Sequence, residues 1–237
     1  MNDLLTELRI SSFDALLAAY ARASGDRLDF NALDGGAGFG ETSGDILKHL
    51  QPSRVVFAFE PYPGNHKFFK PAEERIILIK KALAETNKVM TFRVPSVVSA
   101  DSVWGEKGYA GYSSVGYLAA GVPTSETDIE VDCVAADREL PERADVGFIK
   151  LDLQGGELNA LMGMQALLRN ARFLWVEFTN QRGLLQTLSS LDYILFDTEY
   201  FLMGEKSPSA LAAFDPSRHD VTLSTGQHAW FGFRKHA

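Results

Sequence analysis

An α/β fold with a doubly wound, mostly parallel sheet is predicted by three observations. Leu33-Asp34-Gly35-Gly36-Ala37-Gly38-Phe39-Gly40-Glu41 reads as a buried strand that breaks into a glycine turn and opens a helix. Val55-Val56-Phe57-Ala58-Phe59 and Val146-Gly147-Phe148-Ile149 are short apolar runs, as expected of parallel strands buried on both faces. Each run leads into an acid, Glu60 and Asp152, so carboxylates are expected at the carboxyl ends of neighbouring strands, where open α/β sheets bind ligands.

The glycine turn is the centre of the pattern. Gly36, Gly38 and Gly40 let the backbone turn sharply and approach a ligand with no Cβ in the way. The segment from Glu41 to Leu50 has helical spacing, and its unpaired N-terminal N–H groups form a positive end. Spacing decides between nucleotide ligands. The run is D-x-G-x-G-x-G, whereas the dinucleotide fingerprint G-x-G-x-x-G/A would need a small residue where Glu41 stands. An NAD-dependent oxidoreductase is therefore the weaker alternative. A phosphate loop fails as well, since no lysine follows the turn until Lys48.

At 237 residues, with 46% apolar and 23% charged residues, the chain fits one domain over 1–237 with a single core. Within it we expect an N-terminal helical segment over 1–25 and an insertion over 86–137. A net charge of -8 with no basic cluster excludes duplex nucleic acid, whose binding rests on phosphate neutralisation by Lys and Arg. Cys133 is the single cysteine, which leaves no disulfide framework and no Cys-x-x-Cys pair. The start Met1-Asn2-Asp3-Leu4-Leu5-Thr6-Glu7 lacks the basic and apolar regions of a secretion signal. No run of about 18 apolar residues occurs. These features predict a cytoplasmic protein without membrane insertion.

The remaining elements follow in order. Phe13, Leu16, Leu17 and Tyr20 recur at helical spacing and predict an amphipathic helix over about 3–22. Pro52 ends the first crossover helix, and Arg75 to Ile79 is the third strand. Val89–Val94 and Asp128–Cys133 alternate in strand fashion and predict an added β-hairpin around a long Gly- and Ser-rich connection. Trp104, Tyr109, Tyr112 and Tyr117 sit in that connection, where they either stack on a ligand or pack the loop down. A helix from Gly156 packs through Leu158, Leu161, Met162 and Leu168. Phe173–Phe178 is a fifth strand, Leu184–Leu191 a short helix, and Asp192–Thr198 a sixth strand. Gly204–Ser209 is loop, and Ala229–Phe233 a last strand, placed antiparallel at the sheet's end.

An acid at the end of the first strand followed by alternating glycines, at Asp34, Gly36, Gly38 and Gly40, resembles the class I S-adenosylmethionine-dependent methyltransferases. Within that class, Phe57-Ala58-Phe59-Glu60-Pro61-Tyr62-Pro63-Gly64-Asn65 resembles the afEPxPxN segment of the FkbM family. Lys81-Ala82-Leu83-Ala84-Glu85 resembles its xALS turn, and Ser113-Ser114 its SS pair. Lys150-Leu151-Asp152-Leu153-Gln154-Gly155-Gly156-Glu157 is similar to its K-[IL]-D-x-[EQ]-G-x-E signature. Two departures stand out: Gly38 occupies a place where the family usually has Asn, and Val134-Ala135-Ala136-Asp137 replaces its TLD segment.

The resemblance implies a Rossmann-like class I methyltransferase fold and S-adenosyl-L-methionine as cofactor. It implies contacts from Asp34, Gly35, Gly36, Ala37, Gly38, Phe39 and Gly40, with Pro61 beside Glu60. The place of Glu60 at the second strand tip suits a carboxylate accepting hydrogen bonds from both ribose hydroxyls. Ala82 and Leu83 either contact the adenine or form a plain strand-end turn. Asp152 would contact the methyl donor and serve as the catalytic residue, orienting an acceptor hydroxyl or taking its proton. Ser113, Ser114 and Glu177 are the expected substrate residues, and Glu157, in a first helical turn, suits a structural role. The acceptor class implied is a saccharide or secondary metabolite methylated on oxygen. A Mg²⁺ held by Asp152 with Glu177 or Glu157 is a metal-assisted alternative, but no H-x-D or D-D-x-H cluster demands it and no metal is expected. The five histidines are scattered. A non-catalytic S-adenosylmethionine-binding partner protein and a homo-oligomeric assembly remain open alternatives at this point.

Overall fold

The computed structural model describes residues 17–18, 21–22, 27–70, 74–95, 97, 99–101, 105–109, 116–120, 128–178, 183–191, 193–197 and 228–234. Ser113, Ser114, Trp104, Tyr112, His219, His236 and the Gly204–Ser209 tract lie outside these residues, as does most of the expected N-terminal helix. Residues 17–18 and 21–22 are helical, and Leu17 is buried.

The first half of the chain lays down β1 (Asn31–Gly35), α1 (Glu41–His49), β2 (Val56–Phe59), a 3₁₀ turn over Pro63–Phe68, and β3 (Ile76–Ile79). The insertion contributes β4 (Ala82–Leu83), β5 (Lys88–Arg93), a kinked turn over Gly105–Tyr109, β6 (Tyr117–Ala119) and β7 (Ile129–Val134). The second half adds α2 (Ala136–Glu139), β8 (Val146–Leu151), α3 (Glu157–Met162), α4 (Gln165–Asn170), β9 (Phe173–Phe178), α5 (Leu184–Ser190), β10 (Tyr193–Asp197) and β11 (His228–Arg234).

Seven strands form one sheet in the order β10-β11-β9-β8-β1-β2-β3. The β1–β2, β2–β3, β1–β8 and β8–β9 pairs are parallel, and β11 is antiparallel to both β9 and β10. The last strand thus enters between the fifth and sixth strands of this sheet instead of closing its edge. Chain order reverses at β1, which lies between β2 and β8, so the crevice beyond the tips of β1 and β8 is the topological switch point.

Both faces of the sheet are covered, which explains why its strands are apolar without alternation. Phe30, Ala32, Val56, Phe148 and Phe173 pack with Leu17, Ile46 and Leu50 on one side. Leu33, Phe59, Ile149, Leu151 and Val176 pack with Leu161, Leu168 and Leu188 on the other.

The expected hairpin is the core of a larger unit. β5 pairs antiparallel with β7, and the short β4 and β6 extend the pair to a four-stranded sheet ordered β4-β7-β5-β6. Ala82 and Leu83 are therefore strand residues, paired with Cys133 and Val134. The single helix expected from Gly156 is two, broken at Gly163. A Cβ on Gly163 would lie 2.0 Å from the Ala84 carbonyl oxygen, and Asp137 accepts the Ala166 and Leu167 N–H groups at 2.8 and 3.0 Å to start α4 afresh.

Candidate functional site

The switch-point crevice is a cleft walled by strand tips and by the inserted sheet. Strand tips supply one side of it through Gly36, Gly38, Glu60, Asp152 and Gln154. The inserted sheet supplies the other through Leu83, Phe92, Tyr117 and Leu118.

The glycine turn is shaped by backbone demands. Gly36, Gly38 and Gly40 all have left-handed φ, at 73°, 56° and 82°. A Cβ on Gly36 would sit 1.9 Å from the Asp152 carbonyl oxygen, so the turn lies directly against the tip of β8. A Cβ on Gly38 would meet nothing within 4 Å, because this residue faces the open cleft.

Glu60 follows β2 and is buried, with 4% exposure. Its carboxylate accepts the N–H of Gly38 at 2.8 Å, the N–H of Tyr62 at 2.8 Å and the amide of Asn65 at 3.3 Å. His66 Nε2 lies 2.8 Å from the Glu60 carbonyl oxygen and, facing an acceptor, donates to it. Burial pushes the Glu60 carboxyl up to about 7, against the opposing pull of these donors and of Lys150. Three donors occupy part of a capacity of about four lone-pair sites, so acceptor capacity is left toward the cleft.

Behind the glycine turn runs a polar chain across three strands. Ser43 Oγ donates to Asp34 Oδ2 at 2.7 Å, and Lys150 Nζ stands 3.2 Å from Asp34 Oδ1 and 3.7 Å from Asp152 Oδ2. The same ammonium donates to the Gly36 carbonyl at 3.1 Å. Desolvation pulls its pKa down, but Asp34 and Asp152, with Glu177 further off, outweigh burial and raise it, so Lys150 is a buried cation.

The chain continues through Gln154, whose Nε2 donates to Asp152 Oδ1 at 2.8 Å and to Glu177 Oε2 at 2.9 Å. Gln154 adopts a left-handed φ of 51°. Burial first, and the neighbouring Asp152 second, push the Glu177 carboxyl up to about 8, so Glu177 keeps its proton at neutral pH. Glu157 is fully buried and accepts the Leu153 N–H at 2.7 Å and the Gly155 N–H at 3.1 Å, closing the loop before α3.

Of the residues expected at the site, the structure brings Gly36, Gly38, Glu60, Pro61, Ala82, Leu83 and Asp152 to the cleft wall. Asp34 lies beneath it as the partner of Ser43 and Lys150, and Glu177 reaches Asp152 through Gln154. Gly35 ends β1, Ala37, Phe39 and Gly40 belong to the turn, none of the four lines the cleft, and the Phe39 ring faces away, stacked on Tyr109. Asn65 and Gln154 sit inside motifs already legible in the sequence, without an assigned role there. Phe92 carries no signal beyond strand alternation and Leu118 none, because their place depends on how the inserted sheet folds over.

A cleft that presents side-chain-free backbone at one strand tip, a buried carboxylate at the next and an acid pair at a third suits a nucleoside-bearing ligand with a reacting group near Asp152. The sequence profile described as Methyltransferase FkbM domain matches residues 34–200, which contain all these groups. A crystal structure of methyltransferase FkbM from Methylobacillus flagellatus KT superposes with a TM-score of 0.50 at 15% identity. That match covers 90% of this chain but 46% of the other, so the chain spans under half the length of that protein. A precorrin-6y C5,15-methyltransferase from Geobacter metallireducens GS-15 is 12% identical, with a TM-score of 0.42 over 92% of this chain and 86% of its own. No curated protein matches the chain. With the domain profile covering most of its length, from Asp34 to Tyr200, the chain belongs to the FkbM methyltransferase family.

Proposed function

We propose that the protein is an S-adenosylmethionine-dependent O-methyltransferase that acts on a hydroxyl of a small saccharide or secondary metabolite in the cytoplasm. The reading rests on one observation above the others: the Gly38 N–H bonded to Glu60 in the wall of a cleft that also holds the Lys150-backed Asp152. The residues suit the donor, since Gly38 lines the cleft and the space beside its Cα is open to at least 4 Å. When bound, the donor supplies an activated methyl group with its own sulfur leaving group.

The protein's part is alignment, exclusion of water and management of one proton. Glu60 would accept from the ribose, and Leu83, Phe92 and Leu118 offer an apolar wall for the base. Lys150 and Gln154 hold the two oxygens of Asp152 from opposite sides. Asp152 would accept the acceptor's hydroxyl proton as the new C–O bond forms, with Glu177 kept protonated beside it. The net charge of -8 favours a neutral or cationic acceptor over nucleic acid.

Incubation with methyl-labelled donor and a panel of sugars and polyketides tests the reading. Label recovered as a methyl ether supports it. Donor binding without transfer to any hydroxyl acceptor, or label recovered on nitrogen, contradicts it.

A further inference from the structure

The glycine turn has a second side, away from the cleft. Gly36 and Gly38 face the cleft, whereas Phe39 and Glu41 face a separate hollow together with Phe68, Lys107 and Tyr109. Three glycines in five residues make the turn costly to order, because glycine loses more backbone freedom than any other residue. Between Gly36 and Gly40 the one large side chain available to anchor it is Phe39, which is buried.

Phe39 is held by an aromatic trio drawn from three parts of the chain. The Tyr109 ring lies parallel to it, with centroids 4.1 Å apart and planes 5° apart. Phe68, from the 3₁₀ turn after Glu60, meets Phe39 edge-on at 5.3 Å and Tyr109 edge-on at 4.8 Å. Two residues after Phe39, at the first position of α1, Glu41 accepts the Tyr109 hydroxyl at 3.1 Å and the Lys107 ammonium at 3.2 Å. The Gly105–Tyr109 turn of the insertion therefore grips the glycine turn at its last side chain and at the start of its helix.

We propose that Tyr109 is a positioning residue for the donor site: it braces the glycine turn from behind, so that docking of Gly105–Tyr109 and binding of the donor favour each other. The inference rests on the reading of the cleft as an adenosyl site. Preorganising a binding loop raises affinity by removing an ordering cost, and a coupling of this kind is reciprocal. Loss of Tyr109 must then weaken a ligand it never touches, and the ligand must in turn protect the Gly105–Tyr109 turn.

The test is calorimetric titration of S-adenosylhomocysteine into wild-type, Tyr109→Phe and Tyr109→Ala proteins, paired with the rate of trypsin cleavage after Lys107. Wild type is expected to bind, and Tyr109→Ala to bind about three- to tenfold more weakly, the range for a lost aromatic pair. Tyr109→Phe, which keeps the stack and loses the Glu41 bond, should fall between them. Saturating ligand should slow cleavage after Lys107 in the wild type. That measurement needs no variant and so survives a failure of Tyr109→Ala to fold. Equal affinities across the series, or a lower melting temperature with unchanged affinity, would overturn the proposal, as would cleavage after Lys107 that ignores the ligand. A wild type that binds nothing instead overturns the adenosyl reading beneath it, an outcome recognisable before any variant is compared.

Discussion

Gly38 donates its backbone N–H to Glu60 Oε2 at 2.8 Å, which joins the turn after β1 and the tip of β2 into one hydrogen-bonded unit. Whatever changes the charge on Glu60 is therefore felt by the glycine turn.

Burial raises the Glu60 carboxyl from 4.5 to about 7. In this window the native protein keeps a proton that the unfolded chain releases. The Glu60 contribution to stability is full below 4.5 and is lost as pH rises toward about 7. Ligand binding runs the other way, since ribose hydroxyls donate more strongly to an ionised carboxylate than to the neutral acid. Affinity for S-adenosylhomocysteine should rise about tenfold between pH 6 and 8, and Glu60→Gln should flatten that profile in calorimetric titrations.

Gly36 and Gly38 both have left-handed φ but differ in surroundings. Gly36→Ala drives a methyl into the Asp152 carbonyl and should cost about 3 kcal/mol or more in denaturant unfolding. Gly38→Ala meets open space and should cost only about 1 kcal/mol, the backbone penalty alone. Its methyl would instead obstruct the cleft and weaken S-adenosylhomocysteine about tenfold or more.

Lys150 is buried between Asp34 and Asp152, at 3.2 and 3.7 Å. Lys150→Met strands the Asp34 carboxylate without a counter-charge and should destabilise the fold by about 3–5 kcal/mol. Adding Asp34→Asn should recover part of that loss, and a double-mutant cycle in denaturant measures the coupling.

Asp152→Asn keeps the Gln154 contact in shape but removes the proton acceptor. With an active acceptor in hand, single-turnover rates should fall about a hundred- to ten-thousandfold while donor affinity changes less than about threefold. Gln154→Leu leaves Asp152 and Glu177 unbridged and should lower the rate by less.

The parts of the site written as local sequence were legible: a strand breaking into alternating glycines, and apolar runs ending at Glu60 and Asp152. Each depends on φ freedom, burial and chain direction over a few residues. The four-stranded inserted sheet was only half legible. β4 and β6 hold two and three residues, too few to alternate, and exist because β5 and β7 offer edges to pair with. Antiparallel β11 was expected, but its place between β9 and β10 is set by long-range pairing. Gln154 bridges two acids from a loop with positive φ, a long-range meeting that the letter Q does not carry. The stacking of Tyr109 on Phe39 joins distant segments and has no local signature.

The most direct test of the central claim is a crystal structure with S-adenosylhomocysteine bound. The account predicts ribose hydroxyls within hydrogen-bond distance of Glu60, the base beside Leu83 and the sulfur turned toward Asp152. A ligand seated elsewhere, or a ribose that makes no contact with Glu60, would contradict it.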